Sequence, residues 1–103
     1  MDKEKLKDDV IRTLKTVFDP EIPVNIYDLG MVYELDVNDE GDVKIKMTLT
    51  TPACPVAGSL PGEVEQRIKN LYGVRNVDLQ LVWDPPWTTD MMTEEAKLTL
   101  GFL

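Results

Sequence analysis

Apolar residues recur at helical spacing from the start of the chain. Leu6, Val10, Leu14 and Val17 are separated by four, four and three positions, which predicts an amphipathic helix over 3–18. Ile11 and Phe18 widen the stripe and Asp2 is placed to cap it. Asp19-Pro20 ends it, because a residue before proline is pushed out of the helical region. The period then drops to two. Met31, Tyr33, Leu35 and Val37 alternate with Val32, Glu34 and Asp36. Val43, Ile45, Met47 and Leu49 alternate with Lys44, Lys46, Thr48 and Thr50. These are two half-buried strands, 31–37 and 43–50. Asp39-Glu40-Gly41 fits a three-residue hairpin loop with Gly41 in the left-handed position. That loop pairs 37 with 43, 35 with 45 and 33 with 47, and it sets Asp36 against Lys44 and Glu34 against Lys46. Each such charge pair is worth about 0.2–1 kcal/mol.

The second half repeats the alternation. Val64, Ile68 and Leu71 predict a helix over 59–71, with Ser59 as its cap, Pro61 in its first turn and Gly73 as its stop. Val77, Leu79, Leu81 and Trp83 predict a strand over 75–83 with these four residues inward. A short helix is expected over 90–99, where Met91, Met92, Leu98 and Leu100 form a core-covering stripe. The order α-β-β-α-β(-α) predicts an α+β fold in two layers, with helices on one face of a small three-stranded mixed sheet. The third strand follows a helical crossover and so runs parallel to the second. The other face, with Glu34, Asp36, Lys44, Lys46, Asp78 and Gln80, is wet.

At 103 residues the chain is read as a single domain, 1–103. Eleven basic against nineteen acidic residues give a net charge of −8. Without a basic patch such a surface repels phosphate backbones and anionic membranes, so neither nucleic acid nor membrane is an expected partner. No apolar run approaches the roughly 20 residues of a membrane span, and the charged start MDKEKLKDD is no secretory signal. The single cysteine suits a reducing cytoplasm. With no histidine, a thiol enzyme using Cys54 lacks a His base, and one chain cannot close a four-ligand zinc site. Neither a phosphate-binding G-x-x-x-x-G-K-[ST] loop nor a CxxC is present.

Strand direction alone brings candidate chemistry together. The irregular segments 19–30, 51–58 and 84–89 all leave one rim of the sheet. They carry Asp19, Glu21, Asp28, Thr51, Cys54, Asp84 and Trp87, and functional residues collect on loops held by a rigid scaffold. Cys54 is either an accessible thiolate that meets a metal or cluster, or a small packed hydrophobe. The acids are oxygen ligands, docking groups or turn caps. Trp87, after Asp84-Pro85-Pro86, is either a partner anchor or a plug over the open end of the core.

Four short motifs in order carry a resemblance. They are Asp19-Pro20-Glu21, Tyr27-Asp28-Leu29-Gly30-Met31-Val32-Tyr33, Met47 through Pro55 (MTLTTPACP), and Asp84-Pro85-Pro86-Trp87 with Met91 or Met92 beyond. On these the chain resembles the SufT/PaaD-like family of small iron–sulfur cluster assembly proteins, and at this length the stand-alone SufT-type members most. The resemblance implies a non-enzymatic adaptor or transient carrier that delivers clusters to client apoproteins. It implies Cys54 as the cluster ligand, and Asp19, Glu21, Asp28, Thr51, Asp84 and Trp87 as rim and partner-binding residues. Any labile iron–sulfur cluster would be shared between subunits or with a partner, since one chain cannot complete the ligand set. Expected partners are other assembly proteins, client apoproteins and, as an open alternative, a second copy in a homodimer. ATPase activity is not implied, because the phosphate loop is missing. The cysteine-rich tail of some phenylacetate-pathway relatives is missing too. The competing reading is a metal-free interaction subunit of a multicomponent oxygenase or similar complex, with Cys54 as packing.

Overall fold

The protein is described here from a computed structural model that covers residues 2–19, 22–49 and 60–101. Helix α1 spans Lys3–Leu14 and starts where expected: the Asp2 carboxylate accepts from the N–H groups of Glu4 and Lys5. It ends four residues before 18. The Thr13 hydroxyl bonds back to the Asp9 carbonyl and the Thr16 hydroxyl donates to the Thr13 carbonyl at 2.6 Å. The last turn tightens into Thr16-to-Thr13 and Val17-to-Leu14 bonds. Val17 stays buried, but Phe18 turns out and is 57% exposed.

Strands β1 (Val32–Val37), β2 (Asp42–Met47) and β3 (Asn76–Leu81) form a sheet in the order β1-β2-β3. β1 runs antiparallel to β2, and β2 parallel to β3. The register follows the hydrophobic pattern for Val37–Val43 and Leu35–Ile45, with Asp36 opposite Lys44 and Glu34 opposite Lys46. Lys46 Nζ lies 3.4 Å from Glu34 Oε2. Beyond that the alternation misleads. A β-bulge between Val32 and Glu34 pairs Val32, not Tyr33, with Met47. One extra residue leaves the ladder and the side chains after it are re-aimed. Gly41 adopts φ +88° in the hairpin, and an added Cβ would strike the Gly73 carbonyl oxygen.

Helix α2 (Leu60–Lys69) lies between β2 and β3 in the chain and packs on β3 and α1. It buries Leu60, Val64 and Ile68. Its expected cap, Ser59, lies outside the described residues. The third strand is shorter than 75–83, and its inward residues are poorly covered. Val77 and Leu79 are half-buried, while Leu81 is 37% and Trp83 46% exposed. The expected helix over 90–99 is split into a 3-10 turn, Thr89–Met91, and α3, Glu94–Thr99, capped by the Thr93 hydroxyl accepting from the Ala96 N–H. Met92 and Ala96 are buried, Leu100 packs against the core, and Leu98 faces solvent. The core is centred on Leu14, Ile26, Leu29, Met31, Ile45 and Met47. Among the described residues no helix is long and apolar enough to cross a membrane.

Candidate functional site

The level ends of the strands set the site. Val32 pairs with Met47, and Met47 with Leu81. The start of β1 and the ends of β2 and β3 therefore share one edge, from which the segments containing 22–31, 50–59 and 82–93 depart. The middle segment, with Thr51 and Cys54, lies outside the described residues, as does Glu21.

The other two segments are fastened to each other. Trp87 Nε1–H donates to the Leu29 carbonyl at 2.7 Å, and the half-buried ring packs against the core. Thr93 N–H donates to the Asp28 carbonyl at 2.9 Å. Gly30, at φ +79°, lies so close to Met91 that a Cβ would strike its carbonyl oxygen. A residue absent from the expected site completes the clasp. Tyr33, aimed by the bulge, donates its hydroxyl to the Pro85 carbonyl at 2.8 Å and lies 3.4 Å from Met91 Sδ. Burial lifts its phenol above the ordinary value; a hydrogen bond with Thr48 opposes the rise and the charge of Asp84 adds to it. Tyr33, Thr48 and Asp84 thus interact at the rim. The only signal for Tyr33 in the sequence is its place at the end of Asp28-Leu29-Gly30-Met31-Val32-Tyr33, because alternation treats it as core.

The acids are held differently. Asp28 is half-buried; Asn25 donates its amide to the Asp28 carboxylate at 2.9 Å and accepts from the Asp28 N–H at 2.9 Å. Asp19 is buried, and its carboxylate accepts from the Ile22 N–H at 3.0 Å. Its own N–H donates to the Val24 carbonyl, next to the Phe18–Asn25 bridge. Asp84 is exposed, ahead of the cis bond to Pro85. The structure thus brings the backbone of Asp28 and the ring of Trp87 into one clasp, sets the charge of Asp84 near Tyr33, and leaves Asp19 one hydrogen-bonded turn away. Among the described residues no group of three or more Cys, Asp or Glu is arranged to hold a metal ion.

The fold is thus α+β, a three-stranded mixed sheet with helices, and a proline–tryptophan clasp closes the rim at one end of its strands. Residues 7–79 match the iron–sulfur cluster assembly protein family. The chain belongs to that family. It is 48% identical over 97 residues to a Porphyromonas gingivalis "Fe-S protein maturation auxiliary factor", covering 94% of this chain and 92% of that one. It is 40% identical to the Bacillus subtilis "Fe-S protein maturation auxiliary factor YitW", covering 96% of this chain and 97% of that one. A crystal structure of a domain of unknown function from Bacillus anthracis superimposes with a TM-score of 0.88 at 32% identity, covering 98% and 96% of the two chains.

Proposed function

We propose that this protein is a maturation factor for iron–sulfur proteins that works by binding, as an adaptor or transient carrier, without a reaction of its own. The observation that carries this reading is its likeness, over nearly the whole of both chains, to relatives named as maturation auxiliary factors. In this reading the cluster is cargo. Cys54 supplies one thiolate, and a second subunit or the client supplies the rest, because the chain has one cysteine and no histidine. Shared ligation is labile, which suits hand-over. Asp19, Glu21, Asp28, Thr51, Asp84 and Trp87 are rim residues that orient the loop of Cys54 or meet the partner. The clasp is consistent with this role: it ties the described rim segments 22–31 and 82–93 to each other. A lone thiolate also suits a reducing cytoplasm.

The test is anaerobic reconstitution with iron and sulfide, comparing wild type with Cys54→Ser by absorbance. Carriage predicts a cluster chromophore in wild type that is lost in the variant. No chromophore in either chain, with client binding intact, would leave the metal-free adaptor. A chromophore untouched by the substitution would remove Cys54 from the ligand set.

A further inference from the structure

The two edges of the sheet differ in how they are guarded. In the parallel ladder, Val82 N–H reaches the Met47 carbonyl at 2.8 Å, and at the start of the strand the Gly41 carbonyl accepts from Arg75 N–H at 2.8 Å and from Asn76 N–H at 3.5 Å. Even-numbered residues of β3 therefore turn their backbone groups to β2, and those of Val77, Leu79 and Leu81 point out from the sheet. Among the described residues no backbone hydrogen bond reaches them. This edge carries one acid, Asp78, and has no proline, lysine or bulge, the usual devices against strand addition. The β1 edge has a bulge beside Tyr33 and two acids, Glu34 and Asp36. Antiparallel self-pairing of β1 about Leu35 would set Glu34 against the Asp36 of a second copy, twice over. Self-pairing of β3 about Leu79 sets Asp78 against Gln80, a hydrogen-bonding pair, twice over. It also sets Val77 against Leu81, an apolar pair, twice over.

We propose that the free edge of β3 is a strand-addition site for a second copy of this chain, with the two β3 strands pairing antiparallel about a two-fold axis at Leu79. The outward residues Val77, Leu79 and Leu81 then exchange hydrogen bonds in a single register, giving one six-stranded sheet. The incomplete cover of β3 agrees with this. Val43, Ile45 and Met47 on β2 are at most 1% exposed, whereas Leu81 and Trp83 on the β3 side are 37% and 46% exposed, and the second copy covers that overhang. Antiparallel pairing also directs the two rims to opposite ends of the sheet. Trp83 and its counterpart are separated by eight strand residues, roughly 26 Å at about 3.3 Å each. The dimer is independent of cluster binding, and it leaves each rim free for a different protein.

The test uses the full-length, metal-free, reduced chain, so that a cluster-bridged species cannot contribute. Sedimentation from low micromolar to about 1 mM at about 0.15 M salt should show a species of twice the 11.7 kDa chain mass. Amides of Leu79 and Leu81 should gain hydrogen-exchange protection as concentration rises. Leu81→Pro removes an outward N–H, and Leu81→Lys guards the edge; each should weaken the dimer at least about tenfold, with the circular dichroism of the monomer retained. Should the proline variant unfold, the lysine variant decides. A chain that stays monomeric to about 1 mM overturns the proposal. So does a dimer that Leu81→Lys leaves intact while the edge amides exchange freely.

Discussion

At the rim, Trp87, Tyr33 and Gly30 join segments at least 52 residues apart through neutral contacts. Trp87 donates to the Leu29 carbonyl, Tyr33 donates to the Pro85 carbonyl, and Gly30 meets the Met91 backbone. At the hairpin end, the guanidinium of Arg75 lies 2.7 Å from Asp42 and 3.0 Å from Glu40. The Asn38 side chain organises the turn by accepting from the N–H groups of Glu40 and Asp42. The first end is clamped by shape and directed hydrogen bonds in partly buried surroundings. The second is trimmed by exposed charge, which water and salt weaken. The proposed cluster-binding role puts its site at the end held by shape and partly buried hydrogen bonds.

The comparison can be broken most sharply at Gly30. Gly30→Ala forces a Cβ into a left-handed position and onto the Met91 carbonyl, so it should cost about 2–3 kcal/mol in urea unfolding. Trp87→Phe keeps an aromatic ring but leaves the Leu29 carbonyl unpaired, and about 1–2 kcal/mol should be lost in the same assay. Tyr33→Phe should cost about 0.5–1.5 kcal/mol. It should also remove an alkaline step. The neutral phenol is favoured in the fold, so its contribution is present below the ordinary tyrosine value near 10 and declines as pH rises past it. Arg75→Gln should have the smallest effect at neutral pH, and added salt should shrink it further.

That last variant sharpens the contrast at the other pH extreme. The Arg75 hydrogen bond holds the Asp42 carboxyl below its ordinary value, with Asn38 assisting. Its contribution is therefore present above the usual carboxylate range and is lost as pH falls through the depressed folded value. Thermal melts across acid pH should show this step in wild type and a weaker one in Arg75→Gln. The rim would then loosen with alkali and the hairpin end with acid.

Much of this fold was legible because its signals are local. Asp2 capping α1, the hairpin pairing of Asp36 with Lys44, and Gly41 with positive φ each depend on neighbours within one turn or one ladder. The convergence of 19–30 and 84–89 followed from strand direction, and Trp87 at Leu29 shows those two segments in contact. Tyr33 was misassigned for a physical reason. Period-two alternation assumes an unbroken ladder, and the bulge that breaks it is set by packing at the rim.

The chain order of polar and apolar residues determined which segments become helix and strand, which face each buries, and the parallel course of the third strand, because those choices are made by short-range periodicity and capping. Tertiary structure decided which backbone carbonyls Trp87 and Tyr33 reach. Those depend on residues 52 and 58 positions apart meeting in space, and no window along the chain contains both partners.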